Sequence, residues 1–247
     1  DNHIELAKAA VEDTKMGVYE DKITKNLFAT ENVYHDIKDK KTRGIIDRNP
    51  ASGIVEIAEP VGIIAALIPA TNPTSTTLFK ALISIKTGNP IIFSFHPSAF
   101  DCSQKAAAIM KKAAVKANAP KNCIQWIQPS SKKMTTKLMQ HSDVSLILAT
   151  GGSSMVKAAY SSGTPAIGVG PGNVPVYIEK TADIKQAVHD IVSSKTFDNG
   201  TVCASEQTLL VDSQIANEVK QILIEYHTYI LDINEKEQLE EVAINAE

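Results

Sequence analysis

The segment Val61-Gly62-Ile63-Ile64-Ala65-Ala66-Leu67-Ile68-Pro69-Ala70-Thr71-Asn72-Pro73 passes from an apolar run, through a short polar loop, into a proline. Val61–Ile68 has the length and branching of a buried strand, and Pro73 is pre-shaped for the first turn of a helix. The pattern then repeats. Apolar runs at Ile91–Phe95, Ile124–Ile127, Val144–Ala149 and Ala166–Val169 alternate with helical stretches near Pro73–Lys86, Asp101–Ala117, Ser131–Gln140 and Ser153–Ser161. Strands that are apolar throughout and alternate with helices belong to a parallel sheet covered on both faces. The punctuation agrees: Gly88 can end the first of these helices, and Asp101 is placed to cap the next.

Working outward, the expected fold class is α/β, a Rossmann-like parallel sheet with helices on both faces. Upstream, Ile4, Leu6, Ala9, Ala10 and Val11 give a helical period that leads to Gly17 as a C-terminal cap. A second helix is predicted over about Asp21–Lys40, with Ile23, Leu27, Phe28, Val33, Tyr34 and Ile37 as its buried stripe. Gly44–Asp47 and Gly53–Ala58, either side of Arg48–Ser52, form a β pair around a turn. Downstream, Val176–Glu179 is predicted as a strand, Asp183 as the cap of a helix to about Lys195, Thr208–Val211 as a strand and Ser213–Tyr229 as a helix. Glu235–Glu241 is a charged helix with a solvated face.

Composition narrows the function classes. The chain has 247 residues, 43% of them hydrophobic, enough for a sizeable core in one large or two modest domains. Lys and Arg number 25 against 28 Asp and Glu, a formal net charge of −3 with the charges dispersed, so no nucleic-acid or membrane-surface footprint is present. No apolar run approaches the about 20 residues that span a bilayer, and no signal peptide is seen at the start. Cys102, Cys123 and Cys203 are odd in number and widely spaced, which fits a reducing compartment and a cytoplasmic protein. The six histidines are dispersed and form no ligand pattern, so no metal is expected.

Ligands of open parallel sheets bind beyond the carboxyl ends of the strands, so the loops there supply the candidate residues. Asn72 lies where a strand passes into a helix; it can serve as a helix cap or direct its carboxamide into the crevice. His96, in Ser94-Phe95-His96-Pro97-Ser98, is either structural or a general base. Thr150-Gly151-Gly152-Ser153 leads into a helix and offers backbone N–H groups to a pyrophosphate. Cys203, in Thr196-Phe197-Asp198-Asn199-Gly200-Thr201-Val202-Cys203-Ala204-Ser205-Glu206-Gln207, follows an Asn-Gly turn. It can be a buried small hydrophobe or, on such a turn, a nucleophile.

The run F-D-N-G-T-V-C resembles the active-site signature of the aldehyde dehydrogenase superfamily, and the following A-S-E-Q resembles its CoA-acylating branch. From Asp1 to Glu247 the chain is similar to the aldehyde dehydrogenase module of bifunctional aldehyde-alcohol dehydrogenases, with matching stretches at Ile57–Pro73, Leu82–Pro97, Leu146–Tyr160 and Pro165–Asn173. The resemblance implies Cys203 as nucleophile and Asn72 as oxyanion donor. It implies cofactor contacts from Thr71, Ser94, His96, Pro97, Thr150, Gly151, Gly152, Ser153 and Gly168. At Ser94 and His96 many hydrolytic members have a lysine and a glutamate, and at Gly168 they have the glutamate that activates water. A chain with the nucleophile but without that base needs another acyl acceptor, and coenzyme A is a competent one.

The resemblance thus implies an NAD-dependent acetaldehyde dehydrogenase of the acetylating type. Its partners would be an aldehyde and an acyl-CoA, and its β arm would promote a homo-oligomer. The expected domains are 1–175, binding NAD and including a β arm near 43–59, and 176–247, the beginning of a catalytic domain that the family continues further. A hydrolytic aldehyde dehydrogenase with a relocated base and a non-catalytic nucleotide-binding or assembly module are the alternatives. A hydrolase pairing Cys203 with a histidine would leave the Rossmann-like half without a purpose.

Overall fold

In a computed structural model the described residues are 2–244; residue 1 and residues 245–247, the outermost positions of the two expected domains, lie outside them. Two compact units are present, one of residues 2–171 with Phe197–Cys203, the other of Gly172–Thr196 with residues 204–244.

The first unit is built on a five-stranded parallel sheet of β3 (Ile63–Ile68), β4 (Ile91–Phe95), β5 (Ile124–Trp126), β6 (Val144–Thr150) and β7 (Ala166–Val169), in the order β5-β4-β3-β6-β7. Between the strands run α4 (Pro73–Lys86), α5 (Phe100–Lys116), α6 (Lys132–Met139) and α7 (Ser153–Tyr160). Alternation along β3 shows the two covered faces. Ile64, Ala66 and Ile68 pack with Ala81 of α4 and Ala107 of α5, whereas Ala65 and Leu67 pack with Leu138 and Met139 of α6 and Ala159 of α7. The predicted strands and helices of this region therefore appear within a residue or two of their expected bounds.

The caps show what local sequence cannot specify. Pro73 occupies the first turn of α4, and Gly88 ends that helix, its N–H bonding Ile85 O at 3.0 Å while Asn89 N–H bonds Ser84 O at 2.9 Å. Asp101 is not the cap of α5: that helix begins one residue earlier, and the Cys102 N–H donates instead to Asp13 Oδ2 at 2.7 Å. The carboxylate comes from α1 (Asn2–Thr14), 89 residues away in the chain. At the end of α1 it is Lys15, at φ 56°, that first leaves the helix, before Gly17.

The second predicted helix is continuous but composite: α2 (Tyr19–Leu27), a π-helical turn (Phe28–Asn32) and α3 (Val33–Ile37). The apolar stripe is only partly covered, with Ile23, Leu27, Val33 and Ile37 half-buried. Phe28 and Tyr34 are exposed, and Lys22, Asn26 and Ala29 are buried. Hydrogen bonding explains why a polar residue is buried there, because Asn26 Nδ2 donates to His3 O at 3.1 Å and its Oδ1 accepts from Thr74 Oγ1 at 2.9 Å. The β pair is present as β1 (Gly44–Asn49) and β2 (Ile54–Ala58), antiparallel, with Ile46, Ile54, Val55 and Ile57 exposed.

The second unit holds β8 (Val174–Ile178) and β9 (Glu206–Val211), paired in parallel, with α8 (Ile184–Thr196), α9 (Ala216–Glu225) and α10 (Ile233–Ile244). Ile178, Val188, Ile191, Val219 and Ile222 form its core. Asp183 accepts from the Gln186 N–H at 3.1 Å at the start of α8, as its sequence predicts. Among the described residues no helix is long and apolar enough to cross a membrane.

Candidate active site

The strand order reverses at β3: the chain moves outward to β4 and β5, then returns to place β6 on the other side of β3. The crevice of such a sheet opens between the carboxyl ends of the two strands flanking the reversal. Here those ends lead into Pro69–Asn72 and Gly151-Gly152.

Asn72 precedes α4, but its side chain makes no capping bond. The carboxamide is held at both ends instead. Its Nδ2 donates to Thr201 O at 3.1 Å and to Thr71 Oγ1 at 3.3 Å, and its Oδ1 accepts from Lys25 Nζ. Thr201 lies two residues before Cys203, so the β3–α4 loop and the cysteine turn are joined through this amide. Cys203 is exposed, while Cys102 and Cys123 are buried.

The cysteine turn is reached through a left-handed run: Asp198 has φ 50° and ψ 41°, Asn199 φ 52° and ψ 37°, and Gly200 φ 69°. Left-handed backbone costs L-residues of order 1–2 kcal/mol each, least for Asn and Asp, so other contacts must hold it. Asp198, fully buried, supplies them. Its carboxylate accepts from Val18 N–H at 2.6 Å, Lys22 Nζ at 3.1 Å and Thr201 Oγ1 at 2.6 Å, and pairs with Lys25. Its own N–H donates to Asp21 Oδ2 at 2.7 Å. Burial pushes the Asp198 pKa up, but hydrogen bonds from Lys25, Thr201 and Val18 outweigh it and hold the carboxyl below its usual range. Burial pulls Lys25 below the usual lysine value, against the opposing pull of Asp198. Gly17, at φ 78°, must be glycine here, because a Cβ would lie 2.0 Å from Asp198 Oδ1.

The remaining candidates lie in or just after β3, β4, β6 and β7, near the carboxyl ends of those strands. Thr71 O accepts from Lys22 Nζ at 3.2 Å. Ser94 is buried in β4, its hydroxyl bonded to Thr135 Oγ1 at 2.7 Å. His96 is exposed and engages Ser98 through Nδ1, as the cap of a 3-10 turn that begins at Pro97. Thr150 ends β6, Gly151 N–H bonds Val169 O at 3.1 Å, Gly152 caps α7 and Ser153 is its first residue. Nothing lies within 4 Å of a Cβ built on Gly152, so the start of α7 is open.

Gly168, in β7, is closed by contrast. Its N–H donates to Tyr160 Oη at 2.9 Å, and a Cβ there would stand 2.6 Å from Val156 Cγ1 and 2.8 Å from Tyr160 Cε2. A side chain at 168 fits only if those of Val156 and the exposed Tyr160 move aside.

The model of the aldehyde dehydrogenase family matches residues 14–241. The chain belongs to this family. Aldehyde-alcohol dehydrogenase 2 of Entamoeba histolytica is 57% identical over 240 residues, 97% of this chain and 28% of that protein. The crystal structure of an acetylating aldehyde dehydrogenase from Geobacillus thermoglucosidasius superposes with a TM-score of 0.90 at 54% identity, covering 96% of this chain and 53% of that one. A propionaldehyde dehydrogenase of Rhodopseudomonas palustris, solved with bound CoA and an acylated cysteine, gives a TM-score of 0.82 at 33% identity, over 96% of this chain and 54% of that one. The chain therefore spans about a quarter of the curated relative and about half of each solved structure.

Sequence reasoning missed Lys22, Lys25 and Asp198. Asp198 stood inside the quoted signature, and the two lysines, three apart, share a helix face, but no local signal joins residues 176 and 173 positions apart.

Proposed function

We propose that this chain carries the NAD-dependent, CoA-acylating aldehyde dehydrogenase activity of its protein, interconverting acetaldehyde, CoA and NAD with acetyl-CoA and NADH. The observation that carries this reading is the Asn72 carboxamide, whose N–H side is bonded to Thr201 O, two residues before the exposed Cys203. The Cys203 thiolate adds to the aldehyde carbonyl, and Asn72, giving up its longer 3.3 Å bond to Thr71 Oγ1, donates that N–H with the Cys203 N–H to the oxyanion; one such donor is worth ~10²–10³ in rate. A bound nicotinamide dinucleotide supplies the acceptor for the hydride that leaves this carbon, which becomes a thioester carbonyl. The thiol of CoA then attacks the thioester, and Cys203 departs as thiolate.

Thr71 and Thr150–Ser153 are the residues that would hold the dinucleotide, and the open start of α7 at Gly152 fits a pyrophosphate. Gly168 supports CoA over water as acyl acceptor, since the position lacks a base and a side chain there would have to displace those of Val156 and Tyr160. The exposed apolar β1–β2 pair suits assembly into a homo-oligomer, and the three free cysteines suit a cytoplasmic setting. Residues 176–247 would begin the catalytic domain, most of them lying in the second unit and Cys203 in the first.

The test is NADH formation from acetaldehyde and NAD by the natural full-length chain, with and without CoA. Strict dependence on CoA, and loss of turnover in Cys203→Ala with NAD affinity retained, are expected. Turnover without CoA would overturn the acylating assignment.

A further inference from the structure

Helix α2 presents two ammonium groups to the cysteine turn, and they do different things. Lys22 Nζ bonds Asp198 Oδ2 at 3.1 Å and Thr71 O at 3.2 Å. Lys25 Nζ pairs with the same carboxylate, donates to Asn72 Oδ1 and reaches Thr201 Oγ1 at 3.3 Å. Its side chain is 14% exposed, so these contacts are made largely out of water.

A carboxamide can sit in its pocket in two ways that differ by a half turn, and only one places N–H toward a reacting oxygen. Asn72 is fixed in one of them by its partners: a carbonyl, Thr201 O, faces its nitrogen at 3.1 Å, an ammonium, Lys25 Nζ, faces its oxygen, and the second N–H rests on Thr71 Oγ1 at 3.3 Å, the longer bond and the one a reacting oxygen would replace. The flipped amide would set oxygen against oxygen and N–H against ammonium, two repulsions in a poorly solvated site. We propose that Lys25 is a positioning residue: by gripping Asn72 Oδ1 and the Asp198 carboxylate together, it holds the Asn72 N–H side toward the cysteine turn. The inference rests on the reading above, in which Asn72 is the oxyanion donor and Cys203 the nucleophile. Lys25 reaches the reaction only through Asn72 and the turn.

The charge balance makes the proposal testable. Removing the Lys25 charge leaves Asp198 paired with Lys22, so no buried carboxylate is stranded, and what is lost is the hold on Asn72. In the natural full-length chain Lys25→Met should lower kcat 10- to 100-fold per active site, part of the ~10²–10³ that one oxyanion donor supplies, while KM for NAD stays within about twofold. Lys25→Arg, which keeps a cation and several donors, should recover part of the loss. A purely structural lysine would instead lower the melting temperature and the fraction of active sites, counted by alkylation of the exposed thiol, and leave kcat per site unchanged.

Wild-type kcat per site in Lys25→Met would overturn the proposal. Should that variant not fold, Lys25→Gln decides: its amide is one atom shorter and uncharged, so the same kcat loss is expected, and wild-type kcat overturns the proposal equally. Cys203→Ala and Asn72→Ala run alongside. If either keeps wild-type turnover, the reading of the site fails; if both are inactive and Lys25→Met is not impaired, only the positioning inference fails.

Discussion

Lys80 of α4 is buried at 4% exposure, and its Nζ donates to Leu67 O and Leu148 O, each at 2.8 Å, at the carboxyl ends of β3 and β6. Among the described residues no carboxylate pairs with it, and burial pulls its pKa from 10.5 down to about 7. An unfolded chain holds the proton up to pH 10.5, whereas the folded one holds it only below about 7. Between those values the unfolded state binds more protons, so stability rises with pH. Lys80 therefore imposes a penalty that is full below pH 7 and relieved as pH climbs toward 10.5. The whole window is worth about 5 kcal/mol, and the span from pH 7 to 9 about 2 kcal/mol of it.

Lys80→Met removes the penalty and leaves two carbonyls without their donor, a loss of about 1 kcal/mol each that does not depend on pH. Urea unfolding of both proteins, followed by circular dichroism at pH 7 and 9, separates these contributions. The stability of the variant relative to wild type should fall by about 2 kcal/mol between pH 7 and pH 9, a relative midpoint shift of about 1 M urea. If the difference between the two proteins is the same at both pH values, Lys80 is not buried as a near-neutral amine and the reasoning is wrong.

Gly168→Ala should destabilise the first unit by about 1–3 kcal/mol through overpacking against Val156 and Tyr160; an unchanged melting temperature would show that β7 and α7 fit together more loosely than these distances require. Thiol labelling at neutral pH under native conditions should modify Cys203 alone, because Cys102 is buried, with its thiol pushed up to about 12, and Cys123 is buried as well. Mass spectrometry after alkylation checks this, and rapid label on Cys102 would contradict its placement.

The parallel sheet was legible because its strands are largely apolar runs and α4 between the first two carries its own start and stop in Pro73 and Gly88. Cys203, Asn72 and the glycine turn stand out through the family resemblance of the stretches that hold them, since each residue type alone has an ordinary structural use. The support around them could not. Lys22 and Lys25 look like part of a charged outer face, and Phe28 and Tyr34 look like part of a buried stripe. An apolar stripe marks the inner face of a helix only where the interior beside it is apolar too, and α2 lies against a buried carboxylate and a buried Asn26–Thr74 pair. The Asp13 cap of α5 was hidden for the same reason: its acceptor and donor belong to different helices.

The Asp198 cluster also orders events in the history of each molecule. Lys22 lies 176 positions before Asp198 and the Val18 N–H 180 before it. Closing a loop of that length in a disordered chain costs roughly 4–5 kcal/mol of entropy, so local encounter cannot assemble the cluster; the intervening sheet has to bring its ends together first. During synthesis both lysines leave the ribosome long before their carboxylate exists, and the left-handed backbone ahead of Cys203 has nothing to hold it until they meet. The shaped thiol turn can therefore form only once the sheet has brought α2 and residues 198–201 together.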